Sequence, residues 1–161
     1  MIDFRFFSGI VTMISDLGQN ENDTGCYKMF TIENGMGAIV HFIVSPTTYF
    51  LDHVTLAIGD RVTGYYDGNA PTIMIYPPQY QALLMVKEHP QQQVKVDYFD
   101  SHLLSSDGQL QLNLNPDTSI FLTNNQIFSQ NPANHHLIAV YGPATKSIPA
   151  LTTPYKVIVW C

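Results

Sequence analysis

The chain has 161 residues, of which 45% are hydrophobic and 12% aromatic. That supplies a core for one ordinary domain or two small ones and excludes a globally disordered polymer. Only 12% of residues are charged and the formal net charge is -6, which excludes a basic protein that coats nucleic acid by neutralising phosphates, and no apolar run approaches the ~18 residues of a membrane-spanning helix.

The N-terminus, Met1-Ile2-Asp3-Phe4-Arg5-Phe6-Phe7, has neither a basic leader region nor a long apolar stretch, so no secretory signal is expected. Cys26 and Cys161 stand alone without CxxC spacing. They read as two free thiols rather than a zinc knuckle or a disulfide scaffold, a Cys26–Cys161 bridge being the sharper alternative. By default these features place the chain in the cytoplasm. Ten Asn and ten Gln replace the missing charge. Such a surface is polar but weakly repulsive, and it suits hydrogen bonding to neutral ligands or to other copies of itself.

Strand signals dominate from the start. Segments 9–17, 27–33 and 38–45 are rich in β-branched and aromatic residues, and Asn34-Gly35-Met36-Gly37 between the last two is a hairpin signal. A short helical turn could fit within 46–58, against the grain of its Thr and Val content. Segments 61–66 and 81–87 complete a first set of five strands. The polar stretch Glu88-His89-Pro90-Gln91-Gln92-Gln93 is the boundary candidate, with 89–93 as linker. Strands resume at 94–99, 102–105, 109–114, 119–123, 137–142 and 156–160. Leu110, Leu112 and Leu114 alternate with polar residues, the pattern of a half-buried strand.

The order of signals recurs. Pro46-Thr47-Thr48 and Pro116-Asp117-Thr118 each follow a strand and lead into an aromatic-apolar stretch. Tyr65-Tyr66 answers to Tyr141, and the segment from Pro78 to Val86 answers to that from Pro154 to Trp160. This predicts an all-β chain of two related modules, 1–88 and 94–161, the alternative being one β-sandwich over the whole length. Gly59-Asp60 followed by Arg61-Val62-Thr63-Gly64-Tyr65-Tyr66 is similar to the turn and fourth strand of OB-fold domains, over roughly residues 8–88. The resemblance implies an OB-like barrel there, and the repeat alone extends it to the second half, where Asn134-His135-His136 stands in place of Gly-Asp, giving two small OB-like barrels in tandem. It also implies a binding face on the second and third strands, with Lys28, Phe30 and His41, flanked by loops 18–26 and 67–79.

No motif carries catalysis: there is no GxSxG, no HExxH and no phosphate-binding glycine loop. Lys146-Ser147 are neighbours, so in a strand they would face opposite ways and could not share a proton. The same alternation argues against His135-His136 as joint metal ligands. The oxygen-rich run Asn20-Glu21-Asn22-Asp23-Thr24-Gly25 is a calcium candidate, but it lacks the EF-hand pattern and reads first as a solvated turn. No metal and no cofactor are therefore expected. The strongest binding signal is Tyr65, Tyr66, Tyr76 and Tyr80 among Pro71, Pro77 and Pro78, with Tyr141 and Tyr155 in the second half. Tyrosine offers a large apolar face, a hydroxyl and low ordering entropy. The expectation is a non-enzymatic binding or protein-interaction module of unknown ligand, its partner another protein or a second copy of itself. The alternative, single-stranded nucleic-acid binding, is opposed by a total of seven Lys and Arg.

Overall fold

The computed structural model describes residues 1–18 and 24–161. Among these the regular structure is thirteen strands and one three-residue 3-10 turn, Leu51–His53, so the chain is all-β. No helix among the described residues is long and apolar enough to cross a membrane. The chain divides into two compact units, Met1–Glu88 and His89–Cys161.

The first unit holds β1 (Phe4–Asp16), β2 (Lys28–Glu33), β3 (Ile39–Val44), β4 (Tyr49–Phe50), β5 (Arg61–Asp67), β6 (Gln79–Gln81) and β7 (Leu84–Lys87). They make one mixed sheet in the order β4-β7-β5-β1-β2-β3-β6. β1 is long because it serves two partners. Phe4 to Ile10 pair with β5, and Ile10 to Asp16 pair with β2. A register shift between Val11 and Met13 marks the change, and such an irregularity bends and twists a strand.

The β2–β3 hairpin forms where Asn34-Gly35 predicts it. Gly35 and Gly37 have φ of 77° and 91°, the left-handed region that favours glycine. The Asn34 side-chain oxygen accepts from the N–H of Met36 and of Ala38, at 2.8 and 3.1 Å.

Side chains alternate across the sheet, and one face collects Val11, Phe30, Ile32, Val40, Phe42, Val44, Val62 and Met85 into a core. Each such side chain contributes about 1.5–3 kcal/mol when taken out of water. The Phe42 ring lies over Gly64, where a Cβ would meet it at 2.5 Å.

The second unit holds β8 (Gln93–Phe99), β9 (Leu110–Leu112), β10 (Ser119–Leu122), β11 (His135–Tyr141), β12 (Ala150–Thr152) and β13 (Lys156–Trp160). Four of them form a sheet in the order β10-β13-β11-β8, and β12 pairs with β9 in a separate two-stranded sheet. Phe99, Leu110, Leu112, Leu137, Ala139, Val157 and Val159 form its core. The segment 102–105 contributes isolated bridges instead of a strand, Phe99 to Ser105 and Leu104 to Gln111.

The expectation of two tandem OB-like barrels is not met. The first unit's strands form a seven-stranded mixed sheet with ends at β4 and β6, and the second unit's divide between two sheets. In each unit a later pass of the chain lies parallel on an earlier one, as the coils of a β-solenoid stack. β6 and β7 lie on β3 and β4, and β12 and β13 lie on β9 and β10. Four strands of each unit pair alike, β4-β7-β5-β1 and β10-β13-β11-β8, each a parallel outer pair followed by two antiparallel pairs, but the remaining strands continue the sheet in the first unit and form a separate one in the second, so the units are not two copies of one module. The physical reason for the mismatch is that Pro-x-Thr motifs and glycine turns report local bends. They do not report which strand edges meet.

Those local bends are the same in both units. The Ser45 N–H donates to Thr48 Oγ1 at 3.0 Å and the Thr47 N–H to Ser45 Oγ at 3.2 Å. The Asn115 N–H donates to Thr118 Oγ1 at 3.2 Å and the Asp117 N–H to Asn115 Oδ1 at 2.8 Å. Thr48 alone reaches further, its hydroxyl donating to the Ala82 carbonyl at 2.9 Å. Thr48→Val is therefore expected to lower stability by about 1–2 kcal/mol, as the loss of a turn bond and a long-range bond together. Thr118→Val, whose hydroxyl bonds stay within its own turn, is expected to cost less than about 1 kcal/mol. Urea midpoints of the two variants check the order.

Candidate functional site

The loop that joins β5 to β6 runs over residues 68–78, and it is the most exposed apolar segment described. Ile73, Met74, Ile75 and Tyr76 are 66%, 100%, 44% and 74% exposed. Four consecutive large apolar side chains in water are unusual, since scattered single ones are the ordinary pattern. The Tyr76–Pro77 peptide bond is cis.

Beside this loop the rings of Tyr66 on β5 and Tyr80 on β6 stack, centroids 3.8 Å apart and planes within 6°. Phe42 lies 6.2 Å from each ring and backs the pair from the core. Burial, foremost, and then a hydrogen bond between the two hydroxyls push the Tyr66 hydroxyl up to about 12. Charge on Tyr80 and Asp3 adds to the rise and Arg5 opposes it. The pair closes one side of a recess of about 350 Å³, whose other walls include Ile43, Leu83, Pro71, Ile73 and Asp67. A second recess, of about 380 Å³, shares Thr72, Ile73, Gln79 and Tyr80 and continues to Met74 and Tyr76. The Asp67 carboxylate accepts the N–H of Asn69 at 2.9 Å and of Asp3 at 3.1 Å. These bonds hold its carboxyl below the ordinary range, so the recess carries one firmly anionic wall.

The sequence-predicted site residues part company here. Tyr66, Tyr76 and Tyr80 come together around this loop. Tyr65 does not join them: alternation turns it to the opposite face, where it is 7% exposed against Phe6, centroids 5.9 Å apart. Lys28, Phe30 and His41 do not make one binding face. Phe30 pairs with Phe42 and His41 with Thr31, so Phe30 and His41 lie on opposite faces of the hairpin. Phe30 is 5% exposed and belongs to the core. His41 Nδ1 and Thr31 Oγ1 are hydrogen-bonded at 2.9 Å, and Lys28 is paired with Asp16 at 2.6 Å.

In the second unit Tyr141 packs on the core, and burial raises its hydroxyl above the ordinary tyrosine value. Tyr155 is 54% exposed, with its hydroxyl against the Gly142 backbone, where a Cβ would stand 2.0 Å away. His135 turns to Phe128 and His136 to Tyr98, the divergence that strand alternation predicts. Among the described residues no three His, Cys, Asp or Glu side chains gather as a metal-binding group. Cys26 and Cys161 are both free and exposed. Residues 20–23 of the calcium candidate lie outside the described residues.

Sequence reasoning missed Ile73, Met74 and Ile75 as surface residues. The available signal was their confinement between Pro71 and Pro77-Pro78, which denies so short an apolar run the neighbours of a central strand. Compared with protein-family models, curated proteins and solved structures, the chain matches none of them.

The shared hydroxyl bond makes Tyr66 testable. Tyr80→Phe is expected to bring the Tyr66 hydroxyl down from about 12 toward 10, without reaching it because burial remains. A tyrosinate absorbance titration of Tyr80→Phe, differenced against the Tyr66→Phe/Tyr80→Phe double variant, reads it. The raised value also sets a sign. The unfolded chain loses this proton at lower pH than the folded one, so Tyr66 makes stability fall as pH climbs from about 10 to about 12.

Proposed function

We propose that the chain is a non-enzymatic binding module whose contact surface is the loop at 68–78 together with the tyrosine-backed recess beside it. The observation that carries this reading is the run Ile73-Met74-Ile75-Tyr76, held in water next to a recess lined by Tyr66 and Tyr80. Exposed apolar patches of this kind mark interaction sites. Tyrosines beside them supply contact area with little loss of side-chain freedom. Two recesses of about 350 and 380 Å³ are of a size to take one or two side chains or a single sugar ring each.

Charge favours a protein or neutral ligand over nucleic acid. Among the described residues Arg5, Lys28, Lys87 and Lys95 each pair with an aspartate: Asp3, Asp16, Asp60 and Asp107. A groove that tracks a phosphate backbone needs free cations along its length, and more than half of this chain's seven Lys and Arg are already partnered.

A thermal-shift screen of sugars, oligonucleotides and peptides tests the reading, run on the native chain and on Ile73→Ser/Met74→Ser/Ile75→Ser. The triple variant is expected to melt within about 2 °C of the native chain, since exposed positions contribute little to stability. It is expected to lose the ligand-induced shift that the native chain shows. A variant that keeps the full shift places binding elsewhere and overturns the reading.

A further inference from the structure

The two units treat one equivalent sheet edge differently. In the second unit the Ala150 N–H donates to the Gln109 carbonyl at 2.9 Å and the Asn113 N–H to the Thr152 carbonyl at 2.8 Å. Residues 150 and 152 therefore face β9, and Leu151, between them, turns its backbone groups outward. The preceding loop takes up both of those groups. The Leu151 N–H donates to Thr145 Oγ1 at 2.8 Å, and the Thr145 N–H donates to the Leu151 carbonyl at 3.0 Å. Thr145 stands where a neighbouring strand would stand.

In the first unit the His41 N–H donates to the Pro78 carbonyl and the Ala82 N–H to the Ile43 carbonyl, both at 2.9 Å. By the same alternation Tyr80 faces β3, while Gln79 and Gln81 turn their N–H and C=O groups away from it. β6 ends the sheet, and among the described residues loop 68–78 makes no backbone bond to Gln79 or Gln81. That loop instead carries its apolar residues outward, and both recesses run beside β6, each lined by Gln79 and Tyr80 and the one of about 350 Å³ by Gln81 as well. The edge that the second unit closes with its own threonine is open in the first.

We infer that β6 is an acceptor edge for an extended segment of a partner protein. The segment adds beside Gln79–Gln81 as a further strand and bonds the outward groups of those two residues. It lays an apolar side chain into the recess between the Tyr66–Tyr80 pair and Pro71–Ile73, and it turns a Lys or Arg toward Asp67. Strand addition draws affinity from backbone bonds and specificity from pockets that take alternate side chains. The carboxylate on the recess wall and the net charge of -6 select a basic segment over an acidic one. The inference rests on the proposed function, since it needs loop 68–78 to be a contact surface.

The probe is a phage-displayed library of random heptapeptides selected on the full chain, with the best sequence then synthesised and titrated by fluorescence anisotropy. Selected peptides are expected to alternate apolar residues and to carry Lys or Arg. Methylating the backbone nitrogens of one alternate set of peptide residues is expected to weaken binding at least tenfold, and methylating the other set less than twofold. Gln81→Pro removes one outward donor at an edge position where proline is tolerated. It is expected to weaken binding at least tenfold with little change in melting temperature. Should Gln81→Pro fail to fold, the methylated peptides decide alone.

Binding that ignores methylation but is lost in Tyr80→Ala overturns strand addition and leaves the contact surface standing. Binding that ignores both changes overturns the inference and the proposed function together. A selection that yields no binding peptide overturns the inference. So does a concentration-dependent dimer, seen by light scattering, that Gln81→Pro abolishes, because the occupant is then a second copy.

Discussion

Two consecutive residues carry the first unit's architecture. The Ala82 N–H donates to the Ile43 carbonyl and the Leu83 N–H to the Tyr65 carbonyl. The Ala82 carbonyl accepts the Thr48 hydroxyl, and the Leu83 carbonyl accepts the Tyr49 N–H. Four backbone groups of two residues thus bind β3, β5 and the turn and strand that lie between them in sequence. Here the chain leaves β6 beside β3 and becomes β7 beside β5. Buried backbone groups must find partners, and at this crossing every one does so with a different element. The position of Tyr80 follows from the crossing, and so do its stack on Tyr66 and the recess that the stack lines.

A turn that closes on itself was open to sequence reasoning, and a pairing between distant segments was not. Asn34-Gly35 announces a hairpin because the Asn34 oxygen and two left-handed glycines suffice to make it. Ser45-Pro46-Thr47-Thr48 and Asn115-Pro116-Asp117-Thr118 announce matching bends because their bonds lie within four residues. The hairpin's register was the first thing beyond reach. One residue of slip exchanges the faces of a strand, and the register that opposes Phe30 to Phe42 sends His41 to the other side. The break of the expected strand 81–87 into β6 and β7 was hidden for a similar reason. It is imposed by the partners of Ala82 and Leu83, which lie far away in the chain.

The candidate site was legible as a cluster of residue types and not as a surface. Tyr66, Tyr76 and Tyr80 were readable as a group because they share one loop and its flanking strands. Whether a given tyrosine meets solvent depends on alternation, which separates Tyr65 from its neighbour, and on what the opposite face covers. The apolar residues at 73–75 illustrate the converse. Composition assigns isoleucine and methionine to a core, while the prolines around them hold that stretch outside it.

The double use of β1 has a consequence for how the chain matures on the ribosome. The later half of β1 meets β2, close behind it in sequence, whereas the earlier half waits for β5. β4 in turn has its parallel neighbour only when β7 has emerged. A nascent chain can therefore fold the β1–β2–β3 meander early, yet the sheet cannot be completed until Lys87 has left the exit tunnel. Until Asp67 has emerged, the Phe4–Phe7 end of β1 has no strand to lie against. Distant pairings of this kind make folding slow and leave strand edges exposed to other chains.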